Sequence, residues 1–471
     1  MRRRRADRAR SGRRRRAGAD APRAVAAISL GCPKNLVDSE VMLGLLRAAG
    51  FSVTADRGDA DVLLVNTCCF IADARAEAAE ALEEAASWRR SGRSRALVCA
   101  GCWPEMEAAS LGRRFPEIDA FMGPEDVSRV VSVVEDALAG RPTAAPRGAP
   151  TGYLYDETAP RLRATPPWTA YIKIADGCSH RCRFCVIPRL RGRFRSRSIP
   201  SIVREAERLA EDGVREVNLV AQDTTAFGSD RGEGDIADLL RELAHVEGLC
   251  WVRLLYGFPT RISPGLIDVM AAEPRICEYI DVPFQHSHPD ILRSMGRPGD
   301  GRSYLRLIER LRDSMPDIAV RSTFLVGFPG ETDAHFRDLL QFLEAAQLDR
   351  AGAFCYSPEE GTPAAALSAQ VPAELAGERY HQLMALQQRI SLARNRRWVG
   401  RELEVLLEGR GSTTGEWVGR SFRDAPEVDG TVRLRAKRRQ LRPGRFARAA
   451  ITAAEPYDLI GEATGSTPSP P

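Results

Sequence analysis

Three of the eleven cysteines of this 471-residue chain stand in one short segment, ADGCSHRCRFCVIPRLRGRFRSR, as Cys178, Cys182 and Cys185 in a C-x3-C-x2-C spacing. Three neighbouring thiolates suit an iron-sulfur cubane, which ordinarily takes four ligands, and would leave one iron open to a substrate or cofactor. Zinc is an alternative, but a structural zinc site closes with four donors, and His180 or a more distant residue would have to complete it. Three inert thiols are a further, less favoured alternative. Three further cysteines are far apart: Cys32 in SLGCPKNLVDSE, Cys68 in NTCCF and Cys102 in VCAGC. Each alone reads as a small buried hydrophobe, yet each follows a strand-like apolar run. Cys69 and Cys99 stand beside them as competing donors.

The elements that carry these thiols follow from periodicity. From Val25 to about Gly140 the apolar runs AVAAISL, DVLLVN and RALVCA alternate with helical patterns, which predicts an α/β unit over 24–140 with a mainly parallel sheet. The carboxyl ends of such strands share one edge, where Cys32, Cys68 and Cys102 could converge. Residues 141–167 are rich in Pro, Gly and Thr without a sustained period and read as a linker or exposed crossing segment. Six strand candidates then recur, AYIKIA, EVNLVA, WVRLLY, CEYIDV, AVRSTFLVG and RAGAFCY, each separated by a helical pattern. They predict a partial barrel of six βα units over 168–398, with its chemistry at the strand C-terminal ends. The Cys178 loop follows the first of them. A helix from about Pro372 to Trp398 leads to ELEVLLEG, EWVGRS, VDGTVRLR and RFARAAITAA, the short strands of a small β-barrel over 399–464. The fold class is therefore α/β with a C-terminal β-barrel, and residues 465–471 read as a disordered tail.

Charge and composition narrow the function classes. Residues 1–23 hold eleven Arg against Asp7 and Asp20, a net of +9, so a chain of net +5 carries about −4 elsewhere. That Arg-rich tail buries nothing and reads as disordered, a solvated arm or else an RNA-contacting one. The apolar stretch behind it, Ala24 to Leu30, is at the lower limit for a secretion signal, and no stretch approaches the length of a membrane span. Cysteines in discrete groups within a large chain favour metal or cluster ligation in a reducing cytoplasm over a disulfide framework.

The C-x3-C-x2-C loop behind the first strand of a six-unit barrel resembles the radical S-adenosylmethionine (SAM) superfamily. The resemblance implies a four-iron four-sulfur cluster on Cys178, Cys182 and Cys185, whose open iron holds SAM and whose electron cleaves it to a 5′-deoxyadenosyl radical. TFLVGFPGE, from Thr323 to Glu331, is similar to that family's glycine motif near the adenine. This sets Thr323, Gly327 and Glu331 among the SAM contacts, a plain turn being the alternative. Gln222 and Asp223 in AQDTTAFG, with Tyr356 and Arg321, lie at or near strand ends and are candidate contacts or loop caps.

The first unit narrows the resemblance, because SLGCPKNLVDSE, NTCCF and VCAGC are similar to the N-terminal domain of the methylthiotransferases. That implies an auxiliary four-iron four-sulfur cluster on Cys32, Cys68 and Cys102. IADGCSHRCRFCVIP, AQDTTAFG, VPFQHSHPDILRSMGRPG, GAFCYSPEEGTPA and EPYDLIG look like the branch that modifies an aspartate of protein S12 of the small ribosomal subunit. The last unit resembles the TRAM domain of these enzymes, and the likeness runs from about Val25 to Ala463. It implies methylthiolation of the aspartate β-carbon, with a second SAM supplying the methyl group and sulfur carried at the auxiliary cluster. The implied partners are S12, free or on the subunit, a reductant protein such as flavodoxin or ferredoxin, and a sulfur donor.

Such equipment matches the bond. A β-methylene hydrogen is too weakly acidic for a side-chain base and sits on no leaving group, so acid-base and nucleophilic routes fail. Two alternatives stand beside this reading: the sister branch that modifies adenosine in tRNA, and a non-enzymatic RNA-binding protein with structural metal sites. From Arg433 to Arg448 there are eight Lys or Arg and no acid. This density suits phosphate contacts, although a solvated face is the commoner meaning of a charge run.

Overall fold

Alternating apolar runs and helical patterns become three units in the computed structural model, which describes residues 23–141, 152–436 and 441–466. The Arg-rich segment 1–22, the first part of the crossing segment (142–151), the basic cluster at 437–440 and residues 467–471 lie outside the described residues.

The first unit is a parallel sheet of β1 (Ala24–Ser29), β2 (Ser52–Val53), β3 (Val62–Thr67), β4 (Ala96–Gly101) and β5 (Ala120–Met122), in the order β2-β1-β3-β4-β5. Helices α1 (Pro33–Ala48), α2 (Ala72–Arg90), α3 (Cys102–Arg114) and α4 (Val130–Leu138) cover its faces. β3 and β4 are fully buried, which explains why they read as continuous apolar runs and not as alternating ones. Chain order reverses between β1 and β3, the switch point at which open parallel sheets bind ligands.

The central unit is an all-parallel sheet of six strands that run in sequence order from one edge to the other. They are β6 (Thr169–Lys173), β9 (Glu216–Val220), β10 (Trp251–Leu254), β11 (Ile276–Asp281), β12 (Ala319–Val326) and β13 (Arg350–Cys355). A short antiparallel pair, β7 (Ala175–Asp176) and β8 (Arg195–Ser196), frames the Cys178 loop and its helix α5 (Ile187–Arg191). The crossovers are α6 (Ile199–Glu211), α7 (Ile236–Ala244), α8 (Pro264–Ala272), α9 (Pro289–Ser294) with α10 (Gly301–Ser314), and α11 (Asp333–Ala346), and α12 (Ala373–Arg396) follows β13. Ile172, Leu219, Val252 and Ile280 pack against these helices. The other face carries Tyr171, Trp251 and Tyr279, which share a core with Val37 and Val41 of α1 and with Leu406 and Phe446 of the last unit.

That last unit is a closed barrel of β14 (Glu402–Arg410), β15 (Glu416–Arg420), β16 (Val432–Arg435), β17 (Phe446–Ala454) and β18 (Leu459–Ser466). The sequence reading missed β18 and set a disordered tail from residue 465, but pairing of Gly465 with Arg448 carries the strand to Ser466 and closes the barrel. Buried ion pairs dock it: Arg420 meets Glu216 at 2.6 Å, and Arg350 meets Asp424 at 2.8 Å.

The described part of the crossing segment, 152–167, is partly exposed as expected but is anchored at Tyr155 and Arg161. Arg161 is buried and its Nη1 donates to Glu205 of α6 at 2.7 Å, its Nε to Glu40 of α1 at 2.7 Å, so it laces the first unit to the barrel. Among the described residues no helix is long and apolar enough to cross a membrane.

Candidate active site between two cysteine trios

Neighbouring strand ends bring the distant cysteines together. Cys32 sits at the N-terminus of α1 just after β1, Cys68 directly follows β3, and Cys102 directly follows β4. The turns touch closely: a Cβ added to Gly31, which has φ +86°, would stand 2.5 Å from Cys68 Cβ. Burial alone would raise the Cys32 thiol, but Lys34, Arg191 and the backbone N–H groups of Asn35 and Lys34 outweigh it, and its pKa is lowered. Burial pushes Cys102 up to about 12. Of these three, Cys32 is thus the thiol that gives up its proton most readily. Cys69 is fully buried against Met106, its Sγ 3.4 Å from the thioether, and Cys99 is buried within β4.

The second trio lies on the loop after β7. Cys178 N–H donates to Gly192 O at 3.0 Å and Cys185 N–H to Cys182 O at 3.1 Å, which folds the loop upon itself. Gly296, at φ +70°, lets it pass: a Cβ there would meet Arg181 O at 2.6 Å. Arg297 donates to Cys182 Sγ at 3.8 Å and to Pro283 O at 2.6 Å, and lies 4.4 Å from the ring centroid of Phe258. That ring also stacks on His180, at 3.8 Å, whose Nε2 is 2.6 Å from Asp223 Oδ2. Burial raises Cys178 to about 11 and Cys185 to about 12. A cavity of about 430 Å³ opens beside this loop, lined by Cys178, His180, Arg193, Asp223, Asp230 and Arg261 among others.

A buried charge network joins the two trios. Arg191 of α5 donates to Asp176 and Asp38 at 2.9 and 3.0 Å, to Asn35 Oδ1 at 2.7 Å and to Cys102 Sγ at 3.9 Å. Lys173 pairs with both Asp38 and Asp176. The polar stripe of α1 is buried because each member has a partner: Asn35 and Asp38 face this network, Ser39 accepts from Asn66 at 2.8 Å, and Glu40 pairs with Arg161. Sequence reading missed Arg191 and Lys173; the one available signal was a run of acids and amides on a helix that turned out to be enclosed.

The remaining candidates are placed as follows. Gln222 lies beyond β9 and donates to Asp176 Oδ1 at 2.8 Å, while its side-chain Oε1 is buried with no partner among the described residues. Asp223 also caps its own turn, accepting from Thr225 N–H at 3.0 Å. Thr323 is half-buried in β12, and its carbonyl accepts from Gln285 N–H at 2.9 Å. Gly327 packs on α12, where a Cβ would meet Ala376 Cβ at 2.5 Å, and its N–H donates to Glu331 at 3.1 Å. Glu331 is also paired with Arg379 at 2.9 Å, so its carboxylate is engaged within the protein. Tyr356 places its ring edge-on to Phe328, and Arg321 bridges Asp281 and Asp429.

Both trios fit an iron-sulfur cluster. Each offers three thiols with an arginine N–H on one sulfur, the outer contact that tunes such centres. Among the described residues no three cysteine sulfurs approach within 4.8 Å of one another, whereas zinc with Zn–S bonds of about 2.3 Å needs them about 3.8 Å apart. His288, Asp290 and His335 do bring three donor atoms that close. Their imidazoles are helix caps, His288 Nδ1 accepting from Asp290 N–H at 3.3 Å and His335 Nδ1 from Thr332 N–H at 3.2 Å.

Comparison with known proteins agrees unit by unit. Family models match at residues 24–123 (uncharacterized protein family UPF0004), 172–343 (radical SAM superfamily) and 399–464 (TRAM domain). Among solved structures, the radical SAM methyltransferase TsrM of Kitasatospora setae superposes with TM-score 0.54 over 84% of this chain and 81% of its own, at 17% identity, a likeness of fold alone. Fold and cysteine geometry thus define a radical SAM protein. Ribosomal protein uS12 methylthiotransferase RimO of Heliobacterium modesticaldum is 50% identical over 92% of this chain and 94% of its own, and that of Desulforamulus reducens 48% identical over 92% and 98%. The chain belongs to this methylthiotransferase family.

Proposed function

We propose that this chain transfers a methylthio group to the β-carbon of an aspartate in ribosomal protein uS12 by radical SAM chemistry, with Cys178, Cys182 and Cys185 holding the SAM-cleaving cluster and Cys32, Cys68 and Cys102 an auxiliary cluster that carries the sulfur. The observation that carries this reading is the pair of cysteine trios set beyond the strand ends of two parallel sheets, in units that Arg191 ties together through Asn35, Asp38, Cys102 and Asp176. When bound, the clusters and two SAM molecules supply the electron, the carbon radical, the sulfur and the methyl group. The chain supplies orientation. Arg191 and Arg297 aim N–H groups at Cys102 and Cys182, and the Asp38–Lys173–Asp176 pairs tie the first unit to the barrel beside the Cys178 loop. A reductant protein of the flavodoxin or ferredoxin kind and a sulfur donor complete the set of partners.

The tRNA reading is not favoured, because relatives matching over 92–94% of the chain are named for uS12. Exposed Arg435, Arg442 and Arg448 leave room for ribosomal RNA contact beside the protein target. The test is the mass of uS12 from cells lacking this protein. It should lack one methylthio group, regained with the wild-type gene and not with Cys182→Ala, while methylthio-adenosine in tRNA persists. Loss of the tRNA modification with uS12 unchanged would reverse the assignment.

A further inference from the structure

Lys34 differs from the other buried cations described at the rim of the barrel. It follows Cys32 by two residues, is 8% exposed, and reaches out of the first unit so that its ammonium lies 3.4 Å from the ring centroid of Tyr256, just past β10. Among the described residues Nζ has neither a hydrogen bond nor an ion pair. Its neighbours are satisfied elsewhere: Arg191 and Lys173 by Asp38 and Asp176, Arg321 by Asp281 and Asp429. Asp281 also accepts from Tyr256 N–H at 3.1 Å and so has little left to offer.

The charge that acts most strongly on the Lys34 ammonium is the Cys32 thiol, which it helps to deprotonate. Beyond that it meets an aromatic face without a hydrogen bond, so an anion reaching it is favoured. The platform under it is built for the purpose. Tyr256 is held at φ 62°, a strained conformation for a residue with a side chain, by its N–H to Asp281 and by its carbonyl, which accepts from Thr224 N–H at 3.0 Å. Strain of this kind persists where the surroundings over-determine it, and it concentrates at ligand clamps.

We infer that Lys34 binds the side-chain carboxylate of the aspartate to be modified, and so selects an acid over its amide; this rests on the uS12 reading above. The reacting β-carbon is bonded directly to that carboxylate, so a cation fixed beside Cys32 and over the barrel rim holds the C–H bond between the two trios. An asparagine at the same position would leave the ammonium buried and unpaired, the situation that gives polar sites their strongest discrimination.

The test is equilibrium binding of two peptides to the reconstituted two-cluster enzyme, one with the uS12 target sequence and one with Asn in place of the target Asp. Wild type should bind the Asp peptide roughly 10- to 100-fold more tightly. Lys34→Gln should bind both peptides alike, and Lys34→Arg, which keeps the positive charge beside Cys32, should keep part of the preference with iron content and the electron paramagnetic resonance of the reduced clusters as in wild type. A Lys34→Gln enzyme that still prefers the Asp peptide overturns the inference. So does one that loses iron from the auxiliary site, which would make Lys34 a support for Cys32. Wild type that methylthiolates the Asp peptide yet binds the Asn peptide equally well overturns it while the function stands. Wild type that modifies neither peptide nor intact uS12 overturns the function itself.

Discussion

Arg191 of the barrel donates to Asn35 of the first unit at 2.7 Å, and the same guanidinium touches Cys102 Sγ at 3.9 Å. One side chain therefore locks two units together and orients Cys102, a ligand of the proposed auxiliary cluster. Removing it leaves Asp38 and Asp176 with Lys173 as their remaining shared cation. Arg191→Met should cost about 3–5 kcal/mol, the usual cost of stripping one partner from a buried ion network, seen as a lower unfolding midpoint of the apoprotein. An unchanged midpoint would show the network to be dispensable.

The two trios should separate by chemistry. Cys68→Ala is expected to lose about half of the iron and to stop methylthiolation while still cleaving SAM to 5′-deoxyadenosine. Cys182→Ala should also lose about half, but with no cleavage of SAM. Iron assay with chromatography of the nucleoside product checks both.

Glu216 anchors the C-terminal barrel. Burial would raise its pKa, but Arg420 and then Arg253 outweigh that and hold it at about 2. A depressed carboxylate stabilises the fold above its unfolded pKa and loses that contribution as pH falls through the folded one. Between about pH 4.5 and pH 2 the protein should therefore lose on the order of 3 kcal/mol from this group. Glu216→Gln should be less stable at neutral pH and flatter across that window, as read from urea midpoints at a series of pH values. Parallel curves for variant and wild type would contradict this.

Gly296→Ala tests the cluster loop. A Cβ at φ +70° meeting Arg181 O at 2.6 Å must displace the backbone that carries Cys182. A penalty of about 1–3 kcal/mol is expected from the backbone alone, together with slower iron uptake at the barrel trio and none at the auxiliary one.

Much of this was legible in the sequence because it depends on local pattern. All six barrel strands appear where apolar runs alternate with helical ones, and β6 leads directly to the Cys178 loop. The short strands β2 and β5, of two and three residues, escaped because they are too short to show a period. β18 escaped because its Gly and Thr content reads as a loop, and only pairing with β17 and β16 makes it a strand. Lys34 and Arg191 looked like solvated cations among many, since nothing in a one-dimensional pattern marks which of several arginines after Cys185 will be enclosed.

The sequence by itself determined which residues could ligate metal, in what spacing, and on which kind of strand end, because these follow from residue type and short-range periodicity. Only the tertiary structure decided that Cys32, Cys68 and Cys102 share one edge, that Gly327 and Glu331 are bound up with α12, and that Lys34 is buried over Tyr256 with no ion pair among the described residues. Each of those depends on contacts between segments far apart in the chain, and burial, which sets the cost of every charge, exists only once such segments have packed.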